Sequence, residues 1–120
     1  MSTREVDQAI SFLQKSRRAH LRFTVNLPVT VRLAGVPRDG QVQNLSMGGM
    51  FLVFPGDVGP ADRFECELAL PGVEPATIPV EVRWFVPRGA GATACGVKFL
   101  SLPDRHLKAI VELSSDANLR

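Results

Sequence analysis

The stretch TIPVEVRWFV, residues 77–86, sets Ile78, Val80, Val82, Trp84 and Val86 at every second position. A period of two marks a strand with one buried face, because successive side chains leave a pleated backbone on opposite sides. The same alternation recurs on both sides of it. Upstream of the turn residues PGVEP (71–75), Phe64, Cys66, Leu68 and Leu70 alternate; downstream of PRGAGA (87–92), Cys95, Val97 and Phe99 do so. Earlier still, MFLVF (50–54) is a short apolar run bounded by Gly49 and PGDVGP (55–60). Val25, Leu27, Val29, Val31 and Leu33 alternate with Asn26, Pro28, Thr30 and Arg32. Pro28 lacks a ladder donor and marks an edge or a bulge. AGVPRDG (34–40) carries turn chemistry, with glycines able to take positive φ and an Asp-Gly pair, and predicts a hairpin that returns into QVQNLS (41–46).

Six short strands at fairly even spacing, with no long crossover helix between them, predict a mainly β fold: a small six-stranded antiparallel barrel. A helix is expected at each end. Ser2 stands three residues before Glu5, a capping-box spacing, and Val6, Ala9, Ile10 and Leu13 follow at helical intervals, so residues 1–16 read as a short N-terminal helical extension. Ser101 and Pro103 signal the start of a C-terminal helix whose apolar stripe is Leu107, Ile110 and Val111. Residues 17–113 then form the barrel domain with its helix, and SSDANLR (114–120) reads as a fraying tail.

A chain of 120 residues fits one domain, and roughly two-thirds of its surface can be buried, enough for a core without staples. Cys66 and Cys95 lack CxxC spacing and read as buried free thiols. The opening MSTREVDQAI has no apolar segment behind its charges, and the longest aliphatic or aromatic run, Met50 to Phe54, is too short to cross a bilayer. A cytoplasmic protein with no membrane insertion is expected. On that expectation the Asn44-Leu45-Ser46 sequon meets no glycosylating machinery. A net charge of +2, few aromatics, no tyrosine and no long basic stripe argue against DNA or RNA as partner.

Enzyme constellations are scarce. His20 and His106 are far apart and belong to no HExxH or nucleophile motif, and no GxSxG or Walker-type loop is present. Neither catalysis nor a metal is expected. His106 reads as an exposed helix residue, and Glu65 and Glu67 as a solvated strand face.

Two stretches carry recognition chemistry. SRRAHLRF (16–23), at the junction between helical and strand periods, gathers Arg17, Arg18 and Arg22, with His20 among them. Arg18 and Arg22 are four residues apart, so they share a face in either a helix or a strand. Guanidinium groups dock on phosphate oxygens, read the O6 and N7 edge of guanine and stack on flat rings. In QNLSMGGMF (43–51), Asn44 and Ser46 offer short hydrogen-bonding groups, and Gly48 and Gly49 permit positive φ and close approach to a ligand. The same residues also suit a plain turn. The predicted hairpin brings Asn44 to Gly49 back beside Arg22.

The ordered pair, RxxxR as Arg18 to Arg22 and then NxSxxG as Asn44, Ser46 and Gly49, resembles the PilZ domain family, bacterial receptors for cyclic di-GMP. The resemblance runs from about Ser16 to Val111 and includes VEVRWFV (80–86) and the closing GVKFLSL (96–102). It implies a PilZ-type barrel with cyclic di-GMP as ligand and no other cofactor. Arg17, Arg18 and Arg22 would grip phosphates and guanine edges, and Asn44 would accept from the guanine amino edge. Ser46 would bond a phosphate or base, and Gly48 and Gly49 would leave room for the purine. Trp84 would either line the ligand or fill the barrel core. Arg17, just ahead of RxxxR, points to an intercalated pair of ligand molecules. The implied function is a non-enzymatic effector that changes shape or protein contacts in motility, adhesion or exopolysaccharide control, as a monomer or homodimer with a protein partner still to be identified. The alternative is a PilZ-like adaptor that works without the nucleotide.

Overall fold

The computed structural model describes residues 22–118, with side chains through residue 115. The expected N-terminal helix, Arg17, Arg18 and His20 lie outside the described residues. Six strands follow in order: β1 (Phe23–Leu33), β2 (Val36–Leu45), β3 (Gly49–Pro55), β4 (Arg63–Leu68), β5 (Ala76–Gly89) and β6 (Ala92–Phe99). One helix, α1 (Asp104–Asn118), comes after them. The strands pair antiparallel around a closed barrel in the order β1-β2-β3-β6-β5-β4, with β4 returning to β1. Closure leaves few unpaired strand edges.

The alternation read from the sequence defines the inside. Val29 and Val31 of β1, Leu52 and Phe54 of β3, Cys66 and Leu68 of β4, Ile78 and Val80 of β5 and Cys95 and Val97 of β6 are buried and form one core. Each apolar side chain of this kind contributes about 1.5–3 kcal/mol on burial. The core also takes in Ala109 and Ile110 of α1.

The first hairpin turns earlier than expected. β1 and β2 stay paired up to Leu33 and Val36, so the turn is only Ala34 (φ 50) and Gly35 (φ 80). Two consecutive left-handed residues match the twist of the flanking strands. Asp39 and Gly40 pair with Thr30 and Val29 instead of turning. Gly40 serves packing: a Cβ there would lie 2.9 Å from both the Phe54 Cβ and the Val53 carbonyl oxygen. The β5–β6 hairpin uses the same device at Ala90 (φ 52) and Gly91 (φ 78).

In α1 the amide of Leu107 donates to the Pro103 carbonyl at 2.9 Å, and Asp104 sits in the first turn, where a carboxylate favours the helix dipole. His106 is buried, contrary to its expected exposure, and its Nε2 donates to the Leu68 carbonyl at 2.9 Å. That carbonyl lies at the end of β4, so the imidazole ties α1 to the barrel. The helix also continues to Asn118 where a frayed tail was expected from 114. Ser114 extends the buried line of His106 and Ile110 at four-residue intervals.

Candidate ligand-binding site

The β2–β3 connection is a tight turn built around Ser46. Its amide donates to the Gly49 carbonyl at 2.9 Å. Its Oγ donates to the same carbonyl at 3.2 Å and accepts from the amides of Gly48 at 3.3 Å and Gly49 at 3.2 Å. Ser46 is itself buried, so its hydroxyl fixes the turn from within. The Gly48 carbonyl accepts from the Phe99 amide at 2.9 Å, which ties the turn to the end of β6. Gly49 was expected to supply positive φ and an open floor. It does neither: a Cβ there would stand 2.0 Å from the Val97 carbonyl oxygen, so glycine is required because β6 passes at that point. Gly48 remains exposed.

A continuous row of outward residues runs from this turn across five strands. Thr24 pairs with Asn44, Asn44 with Phe51, Phe51 with Gly96, and Gly96 with Trp84. Two bulges create the row. Gln43 is an extra residue between Val42 and Asn44, and Arg83 is extra between Val82 and Trp84. Each bulge turns the next residue outward where simple alternation from the buried Val42 and Val82 would turn it in. The reading of Trp84 as barrel core is thereby overturned: it is 42% exposed and stacks on Phe51, with ring centroids 5.2 Å apart and planes 21° from parallel. Gly96 makes space for it, since a Cβ there would lie 2.2 Å from the indole Nε1.

Asn44 is half-buried, and its Oδ1 is fully buried with no hydrogen-bond partner among the described residues. A buried acceptor left open is costly and calls for a donor. Phe51 is an outward neighbour of Asn44 and Trp84 that the sequence reading did not single out. The signal was available: with Met50, Leu52 and Phe54 inward, Phe51 must face out, opposite Asn44.

Arg22 is exposed and immediately precedes Phe23, which pairs with Leu45; Thr24 pairs with Asn44. Of the three arginines of that segment Arg22 alone is among the described residues, two positions before the Thr24 that pairs with Asn44. One outward row further along, Gly49 pairs with Lys98, Lys98 with Glu81, and Glu81 with Arg63. There Arg63 Nε donates to Glu81 Oε1 at 3.2 Å, and Lys98 Nζ lies 3.8 Å from Glu81 Oε2. Neither cysteine belongs to this surface. Both are buried free thiols, pushed up to about 12, Cys66 by burial and then by neighbouring Cys95, and Cys95 by burial. No group of side chains suited to a metal occurs among the described residues.

Solved structures match this architecture at low identity. The inhibitor of motility MotI/DgrA from Bacillus subtilis has a TM-score of 0.68 and 15% identity over 83% of this chain, which spans 50% of that protein. The PilZ domain of YcgR from Escherichia coli, solved with c-di-GMP, has a TM-score of 0.65 and 15% identity, covering 86% of this chain and 92% of that one. The PilZ domain of CeSA from a cellulose-synthesizing bacterium has a TM-score of 0.54 and 19% identity, covering 81% and 97% respectively. No curated protein sequence matches the chain at a significant level. The sequence profile of the PilZ domain matches residues 16–116, nearly the whole length, and on that match the chain belongs to the PilZ domain family.

Proposed function

We propose that this domain is a receptor for cyclic di-GMP, bound on the outer wall of the barrel between the arginine segment and the Asn44–Trp84 row. The observation that carries the reading is the buried Oδ1 of Asn44, unpartnered among the described residues, beside an aromatic pair and opposite Thr24, two residues after Arg22. A guanine supplies what that set lacks: N–H donors for Asn44 and a flat ring for the exposed indole of Trp84. Arg17, Arg18 and Arg22 hold the phosphates and the guanine O6 and N7 edges, each such charge-assisted bond contributing about 1.5–3 kcal/mol. Ser46 acts by holding the turn, Gly48 leaves room for the purine on its exposed side, and Gly49 lets the turn pack against β6. Arg17 favours an intercalated pair of ligand molecules over one.

The output is a change of protein contacts, with no catalysis. Two phosphates neutralise the clustered positive charge of Arg17, Arg18 and Arg22, which alters the surface offered to a partner. The similar Bacillus subtilis protein is an inhibitor of motility, which supports a role in motility, with adhesion and exopolysaccharide control in the same range. The setting is the cytoplasm, in keeping with the lack of any helix among the described residues long and apolar enough to cross a membrane.

Calorimetry with purified protein tests the reading. Binding is expected at micromolar concentration or tighter and is lost in Arg18→Ala and Arg22→Ala. A folded protein that gives no heat with excess nucleotide overturns it. A second reading, an adaptor that works without the nucleotide, draws on Trp84, Phe85 and Val86, three consecutive exposed hydrophobic residues. A partner set in pull-downs that ignores both ligand and arginine substitutions selects that reading.

A further inference from the structure

Resting on the cyclic di-GMP reading above, we propose that Lys98 is a further ligand-binding residue, a phosphate-gripping cation on the far side of the β2–β3 turn from Arg22. Its position follows from the register. Met50 and Val97 pair with their side chains inside the barrel, so the next pair, Gly49 and Lys98, faces out. The Lys98 side chain is 47% exposed. Its backbone is held on both sides: the Val97 carbonyl packs against Gly49, and the Phe99 amide donates to the Gly48 carbonyl at 2.9 Å. The lysine therefore stands at a fixed place beside the turn.

The local charge balance points the same way. Arg63, Glu81 and Lys98 form one outward group with two cations and one carboxylate. Glu81 Oε1 is engaged by Arg63 at 3.2 Å, whereas Lys98 Nζ stands 3.8 Å from Oε2, too far for a hydrogen bond. The group keeps a surplus positive charge, and it is carried by the residue nearest the turn. On the other side of the turn, Arg22 precedes Phe23, whose cross-strand line runs through Leu45 and Met50 to Val97. Three strand spacings separate the ends of that line, about 14 Å. Two long cationic side chains that lean towards each other over that gap can grip one phosphodiester from opposite sides.

The two cations differ in what they read. A guanidinium binds in a planar, bidentate way and also takes guanine edges, whereas an ammonium is a compact point charge that suits a phosphate in many orientations. Lys98 accordingly adds affinity for the phosphodiester without adding base selectivity.

The test is calorimetry with cyclic di-GMP on the full chain: wild type, Lys98→Ala, Lys98→Arg, Glu81→Gln and Arg22→Ala, each at low and high sodium chloride. Lys98→Ala is expected to weaken binding about tenfold at low salt, the size of one charge-assisted hydrogen bond, and the loss should shrink as salt screens the charge. Lys98→Arg keeps affinity near wild type, Glu81→Gln tightens binding, and Lys98→Ala leaves the melting temperature unchanged. If wild type binds, Arg22→Ala weakens binding and Lys98→Ala does not, the role of Lys98 is overturned while the receptor reading stands. Weaker binding in Glu81→Gln also counts against it. If folded wild type binds no cyclic di-GMP, both readings fall.

Discussion

A methyl group added at Gly96 would sit 2.2 Å from the indole Nε1 of Trp84, far inside van der Waals contact. The clash falls on a side chain, so the indole can move, and Gly96→Ala is expected to fold at a cost of about 1–3 kcal/mol. Its main effect is on the site, because the displaced ring leaves its stack on Phe51. Weaker cyclic di-GMP binding is expected, together with a moved indole N–H resonance in the NMR spectrum. An unmoved resonance would show that the barrel wall gives way instead. Gly49 contrasts with this, since its obstruction is the Val97 backbone carbonyl and cannot swing aside. What tells the two glycines apart is the neighbour each faces, a strand backbone for Gly49 and a side chain for Gly96.

At the scale of strands and turns, what the sequence made legible is what depends on neighbours in the chain. The alternations of β1, β4 and β6 each required only a local period and lie as read, and the apolar run 50–54 lies in β3. Trp84 was left between core and wall because its side is set by the bulge at Arg83, which exists only when β5 pairs with β6. Asn44 is turned out by the bulge at Gln43 in the same way. His106 could not be read as buried, since its acceptor, the Leu68 carbonyl, is 38 residues away. The Asp39-Gly40 pair misled because it is a strong turn signal locally, while Gly40 is used for packing against Phe54. The real turns place alanine in the left-handed region, at Ala34 (φ 50) and Ala90 (φ 52), each ahead of a glycine. Such a residue costs about 1–2 kcal/mol, which asparagine largely avoids. Ala90→Asn creates the Asn-Gly pair preferred in two-residue hairpins and is expected to raise the denaturant midpoint; Ala34→Asn should do the same.

For the whole molecule, the two buried thiols predict how stability responds to alkali. Burial pushes both from an ordinary value of 9.0 up to about 12, so the folded state holds these protons more tightly than the unfolded chain. Their contribution is fully present below pH 9 and is lost as pH rises from there towards 12, because only the unfolded chain releases the protons over that range. Denaturant midpoints measured against pH should fall in this window. Replacing Cys66 and Cys95 together by alanine should flatten that fall, and an equally steep profile in the double variant would assign it to other groups. At neutral pH the same protonation keeps both thiols inert to alkylating reagents until the barrel opens. The chain also has one tryptophan and no tyrosine, and that tryptophan is Trp84 on the outer wall. Its near-ultraviolet emission therefore has a single origin, and the light collected from the intact protein reports the candidate site alone. A purine laid against the indole would dim that light with no dye or tag attached.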